Sequence, residues 1–315
     1  MQSQVIENRW DCVSVTSIKI LLYVSMASLP EGKPMIIANF KRKIIKNSST
    51  WYLENINNMI VTNDAYRGLN VYNNNLEKIF SIKIMQGLII ETAYKNPNMS
   101  ELLLYCMENN CFVYVNLPKQ THKVIKIPIL FRKEIFSPAY CWEEDRVYID
   151  NYNEHFFCIN ISRATIEPIV HSRMELVNKN FYNLFLCYKK RFFEDNQQTN
   201  ICANFPRHII GYKDAQQNYI VESFELSTKY NLGKIPEYIH SLEIVSDLIA
   251  LAGEKCIYIF YKNQRMRLSI SPDMLLWHIS ASIHKDMCHL FLLADAENAS
   301  SYQALYRLEI PIPRG

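Results

Sequence analysis

Between residues 51 and 130 one pattern runs through the chain twice: an apolar stretch, a polar break, a short aromatic stretch, a polar turn and an Ile-rich stretch, closing at Ile84 and again at Ile129. The first copy reads NMIVTND (Asn58 to Asp64), GLNVYNN (Gly68 to Asn74) and LEKIFSIKI (Leu76 to Ile84). The second reads ELLLYCMEN (Glu101 to Asn109), CFVYVNL (Cys111 to Leu117) and HKVIKIPI (His122 to Ile129). Each run is short and rich in Val, Ile, Tyr and Phe, side chains that suit a pleated, half-buried surface better than a helix. The runs are therefore predicted to be strands. Asn73-Asn74-Asn75 and Asn109-Asn110 join them, and Asn tolerates the left-handed backbone of tight hairpins. With only 7 Gly in 315 residues, most turns must use Asn, Asp, Pro or longer loops.

A third copy follows in EIFSPAYCWEED (Glu134 to Asp145), RVYIDNYN (Arg146 to Asn153), HFFCINIS (His155 to Ser162) and ATIEPIV (Ala164 to Val170). Aligning the aromatic strands superposes Asn73, Asn116 and Asn160, which lie 43 and 44 residues apart. Four strands recurring at about 40 to 45 residues is the requirement of a β-propeller blade; helical repeats of that period would space apolar residues by three and four. A β-sandwich is the alternative.

Before these copies, Val13 to Leu29, Pro34 to Phe40 and Lys43 to Asn47 already show the strand and turn rhythm. Residues 173 to 240 loosen it with FYNLFLCYKKRFF (Phe181 to Phe193), HIIGY and YIVESFEL, a span too long for one blade. An insertion is expected there, at the polar hairpins Glu194 to Asn200 or Lys213 to Asn218. The rhythm resumes at Leu242 and runs to the end. The expectation is a single all-β domain over 1–315, a β-propeller of about seven four-stranded blades with six as the runner-up. Its units are 11 to 50, 51 to 86, 87 to 130, 131 to 172, 173 to 240, 241 to 273 and 274 to 315. Residues 2 to 8 are the candidate strand that closes the ring onto the last blade.

In this period the chain resembles the WD40-like propellers over nearly its whole length. The resemblance lies in the repeat alone: the one Trp-Asp pair, Trp10-Asp11, ends no third strand, and no Gly-His pair opens a unit. It implies the fold class and transfers no functional residue.

The composition, 49% hydrophobic and 21% charged, is that of a chain burying a sizeable core, and a net charge of +3 gives no reason to expect a polyanionic partner. Glu7, Arg9 and Asp11 interrupt the start, and the nearly uncharged run Ile20 to Pro30 is too short to span a bilayer. A soluble protein without a cleaved signal is expected, with no membrane insertion. Nine scattered cysteines, mostly in strand-like runs, read as buried free thiols of a cytoplasmic protein.

Chemical motifs are sparse. His278, His284, Cys288 and His289 are the densest candidate metal ligands, but their spacing matches no standard zinc site, and Cys288 and His289 point to opposite faces of a strand. Glu143, Glu144 and Asp145, with Asp150 and Glu154 beyond, read as a solvated hairpin turn, since a calcium loop needs a glycine that this segment lacks. Lys189-Lys190-Arg191-Phe192-Phe193, with Lys41-Arg42-Lys43 second, could hold phosphates and stack bases, yet Glu194 and Asp195 follow at once. The sequence carries no G-x-S-x-G, no phosphate-cradling loop and no dinucleotide fingerprint, so no catalytic residue and no cofactor is assigned.

The expected function is a non-enzymatic platform for another protein, the chain acting as a monomer or within a hetero-complex; an immunity- or effector-type binder is one version of it. Segment 181 to 220 is the expected contact face, with Lys189, Lys190, Arg191, Phe192, Phe193 and Tyr212 as its binding residues, because insertions in repeat folds tend to lie on the binding face. An enzyme or carbohydrate binder with its site in a central channel is the alternative: clustered carboxylates or histidines there would favour it, and a plugged or apolar channel would favour the platform. Nucleic-acid binding through basic loops stands third.

Overall fold

The computed structural model describes residues 23–25, 39–45, 49–96, 98–132, 136–151, 155–194, 200–261, 264–269, 276–284, 286–295 and 303–311. They form an all-β architecture of six antiparallel sheets with few helices. The first sheet comprises Leu53–Ile56, Met59–Asn63, Gly68–Tyr72 and Lys78–Lys83, each strand paired with the next in sequence. The second comprises Thr92–Asn96, Glu101–Cys106, Cys111–Asn116 and Thr121–Lys126, and the third Tyr140–Glu143, Arg146–Asp150, His155–Asn160 and Thr165–Val170. The fourth runs Cys202–Asn204, Ile209–Lys213, Asn218–Ser223 and Thr228–Lys234. The fifth runs Ile239–Val245, Leu248–Gly253, Cys256–Tyr261 and Gln264–Ser269, with Tyr23–Ser25 added at its outer edge. The sixth has three strands of its own, Leu276–His284, Met287–Asp295 and Gln303–Pro311.

The fourth strand of the sixth sheet is Asn39–Ile45, which pairs with Gln303–Pro311 from Asn39↔Glu309 to Ile45↔Gln303. Unit 11 to 50 is therefore not a seventh sheet: its described strands are edges of the fifth and sixth. An N-terminal strand does complete the last sheet, but it is Asn39–Ile45; residues 2 to 8 lie outside the described residues.

Burial follows strand position. Gly68–Tyr72 and Leu248–Gly253 are buried throughout, whereas the fourth strand Thr121–Lys126 is mostly exposed and Lys78–Lys83 half exposed. The middle strands have neighbours on both faces, which is why they read as unbroken apolar runs. Apolar clusters join consecutive sheets: Val61 and Leu69 meet Leu102 and Val113 between the first and second, and Leu251 meets Val221 between the fifth and fourth. Leu290 meets Leu248 between the sixth and fifth, and Phe291 and Leu305 meet Ile60 and Tyr72 between the sixth and first.

The asparagines that set the period have one structural job. Asn116 and Asn160 end third strands, and their side-chain oxygens accept from the Lys119 and Arg163 backbone N–H groups at 2.9 and 2.7 Å. Asn73 accepts from Asn75 and Glu77 at 2.9 and 3.0 Å. The same hairpins hold Leu76, Gln120 and Ala164 at positive φ. Among the described residues thirteen non-glycine positions have positive φ and three of these are Asn, so Ala, Leu, Ser, Gln, Glu and His also fill left-handed positions in place of glycine. Asn and Asp therefore serve these turns largely through their side-chain oxygens, and the left-handed backbone positions are shared with other residue types.

Between the third and fourth sheets the chain turns helical: α1 is His171–Val177 and α2 is Lys179–Lys189, followed by a π-helical turn at Lys190–Glu194. The insertion thus lies ahead of the hairpins expected to hold it. Lys213 to Asn218 is a tight turn in which Asp214 accepts from Gln216 and Asn218, and residues 195–199 lie outside the described residues. Asn178 caps α2 by accepting from Phe181 N–H at 2.9 Å, and Phe181, Leu184, Phe185 and Tyr188 are buried at helical spacing.

Candidate functional site

The first strands of four sheets pack in series. Cys202–Asn204 lies against Ile239–Val245, which lies against Leu276–His284, which in turn lies against Leu53–Ile56. Charged and polar side chains from different sheets meet here. Lys95 Nζ, on the second sheet, is 2.7 Å from Glu54 Oε2 on the first and 3.5 Å from Glu243 Oε1 on the fifth. Tyr140 of the third sheet locks the Lys95 backbone, its hydroxyl accepting from Lys95 N–H at 2.9 Å and donating to the Lys95 carbonyl at 3.1 Å. Asn204 Nδ2 of the fourth sheet donates to the Leu242 carbonyl at 3.5 Å.

One ammonium thus serves two carboxylates. Burial alone would lower the Lys95 pKa, but Glu243 and Glu54 overcome it and lift it above the ordinary lysine range. Burial raises Glu243 even against the pull of Lys95, and Glu54 beside it adds to the rise. Two histidines stand by this cluster. Burial lowers His240, whose Nε2 lies 3.3 Å from the Gly253 carbonyl. His278 faces solvent, yet enclosing protein lowers its pKa, with Glu54 opposing and His240 adding to the fall. The convergence is polar, and it is also bridged, because both carboxylates are already engaged by Lys95.

The second region is the helical insertion. Lys189 ends α2, half-buried, with Nζ 5.9 Å from the Phe185 ring centroid, and Lys190 is exposed. The Arg191 guanidinium lies 3.5 Å over the ring of Tyr212, itself buried in the fourth sheet. Lys229 reaches the same ring at 5.7 Å, and the Tyr212 hydroxyl donates to Glu222 at 3.2 Å. Phe192 stacks on Tyr188 at 5.6 Å and is 54% exposed; the Phe193 side chain lies outside the described set. Arg191 and Tyr212 are therefore brought together from 21 residues apart, with Tyr212 as the buried support of the cation. Sequence reasoning missed two further exposed apolar side chains, Leu176 of α1 at 88% and Leu186 of α2 at 44%. The 3–4 spacing of Phe181, Leu184, Phe185 and Tyr188 is the signal that would have revealed the helix and its outer face.

Elsewhere the candidates have structural surroundings. His284 and Cys288 flank the hairpin of the sixth sheet, Cys288 opposite Ile283 and His289 opposite Ser282, while His278 lies six residues back along the strand. Among the described residues no three potential ligands are grouped to hold a metal. Glu144 sits at positive φ in the tight turn between Glu143 and Arg146. Lys41 donates to Asn75 Oδ1 at 3.0 Å, and Arg42 and Lys43 lie over the rings of Tyr306 and Tyr72.

No family model and no curated protein matches the chain. Among solved structures it is similar to PorZ, an essential bacterial surface component of the type-IX secretion system of human oral-microbiomic Porphyromonas gingivalis. The TM-score is 0.46 at 11% sequence identity, over 88% of this chain and 39% of that one, so this chain spans well under half the length of that protein.

Proposed function

We propose that the chain is a six-bladed β-propeller acting as a protein-interaction platform, with the helical insertion between its third and fourth sheets as the contact surface. Support for the ring comes from apolar clusters that join the sixth sheet to the first as well as each sheet to its successor, and from Lys95, which reaches a first strand three sheets away. The contact surface rests on one observation: Leu176, Leu186 and Phe192 expose apolar area on helices whose opposite faces are fixed in the core by Met174, Phe181 and Phe185. Rigid presentation of apolar side chains keeps the ordering cost of binding low. Affinity capture with wild type and with Leu176→Ser/Leu186→Ser/Phe192→Ser tests this. All three side chains are at least 44% exposed, so the variant should keep its fold by circular dichroism while losing the partners wild type retains. Retention of every partner would refute it.

A second function has a specific observation behind it. Glu54, Glu243, Lys95, His240 and His278 converge from four sheets, as a site for a small polar ligand would require. Thermal-shift screening with sugars and small amines tests it: a ligand that stabilises wild type and not His278→Ala supports an axial site. Clustered carboxylates and histidines are the feature expected to favour this alternative, and Lys95 already bridges the two carboxylates.

A further inference from the structure

The interaction surface proposed above carries the charge of the molecule. Residues His171 to Glu194 hold Arg173, Lys179, Lys189, Lys190 and Arg191 against Glu175 and Glu194, a formal +3 equal to that of the whole chain, so the remainder is balanced. Lys229 from the last strand of the fourth sheet joins the group, 5.7 Å from the centroid of the Tyr212 ring. Arg191 and Lys229 thus share one ring beside the exposed Phe192 and Lys190, a cluster in which positive charge exceeds that of the neighbouring Glu222 carboxylate.

We infer that the partner presents an acidic, apolar peptide segment to this surface: carboxylates to Lys190 and Arg191, and Leu- or Phe-type side chains to Leu176, Leu186 and Phe192. The inference rests on the protein-binding function proposed above. The Arg191 guanidinium is held 3.5 Å from the Tyr212 ring centroid, and its planar fork of donors suits a carboxylate. One feature separates this partner from a nucleic acid: Leu176 and Leu186 are aliphatic and offer no stacking platform for a base.

Phage selection of random short peptides on the purified full chain tests the inference. Selected sequences should combine Asp or Glu with Leu, Phe or Trp, and a synthetic selected peptide should lose about tenfold in affinity in Lys190→Glu and a similar factor on raising the salt. Unchanged circular dichroism and melting of that variant guard against misfolding. Peptides without acidic bias whose binding is lost in Leu186→Ser/Phe192→Ser would overturn the acidic partner and leave the platform standing. Peptides indifferent to every substitution in the insertion would overturn both. Tighter binding of a single-stranded oligonucleotide than of any selected peptide would assign the surface to nucleic acid and overturn the inference.

Discussion

Lys95 and Glu243 lie 148 residues apart in sequence and 3.5 Å apart in space, joining the first strands of the second and fifth sheets. Removing the ammonium would leave Glu54 and Glu243 facing each other, largely shielded from water. Lys95→Ala should cost about 3 kcal/mol of stability. In a double-mutant cycle with Glu243→Gln, the coupling measured by urea denaturation should exceed about 1 kcal/mol. Coupling near zero would mean that the bridge holds nothing together.

His289 makes the fold acid-sensitive. Burial, with the nearby charges of Arg307 and His284, pushes its pKa down from 6.5 to about 4. Between those values the unfolded chain binds the proton and the folded chain does not, so acid favours unfolding. The stability is whole above pH 6.5 and drains as pH falls towards 4, by roughly 3 kcal/mol at most from this residue. Melting temperatures across this window should fall less steeply in His289→Gln than in wild type.

Two glycines should respond differently to the same substitution. A Cβ on Gly68 would lie 2.0 Å from the Ile82 carbonyl oxygen, a backbone atom of the paired strand, so Gly68→Ala should cost about 3 kcal/mol. Gly87 has φ +73° and open space around it, and Gly87→Ala should cost only about 1 kcal/mol of backbone strain. Equal denaturation midpoints for the two variants would refute the contrast.

The described cysteines are free thiols. Burial pushes Cys141, Cys202 and Cys288 up to about 12, with Glu143 adding to the first and Glu243 to the second. Alkylation of the native protein at mildly basic pH should label these three at least about a hundredfold more slowly than in denaturant, read by peptide mass spectrometry. Native Cys288 labelling at the denatured rate would show that the sixth sheet opens readily.

Legibility in the sequence followed burial. Second and third strands such as Leu102, Leu103 and Leu104 or Phe112 and Val113 are covered on both faces, and their apolar runs were readable with nearly their observed bounds. Leu53–Ile56, Thr92–Asn96 and Cys202–Asn204 were not readable, because they are three to five residues long and carry Glu54, Lys95 or Asn204 in place of an apolar alternation. The side chains that meet at the first strands were hidden for the reason that brings them together: an inner strand lined by polar partners has no hydrophobic signature. The aromatic run from Phe181 was legible only as a loosening of the β rhythm, because its helical spacing spans little more than two turns.

By itself the sequence determined the unit and its period: Asn73, Asn116 and Asn160 close equivalent hairpins through bonds to backbone two to four residues away, an interaction local enough to recur wherever the residue recurs. Tertiary structure alone decided that Asn39–Ile45 completes the sixth sheet, that Lys95 meets Glu54 and Glu243, and that Arg191 rests on Tyr212. Those contacts depend on how whole sheets pack, and side chains so distant along the chain leave no mark on the local pattern that could announce their partners.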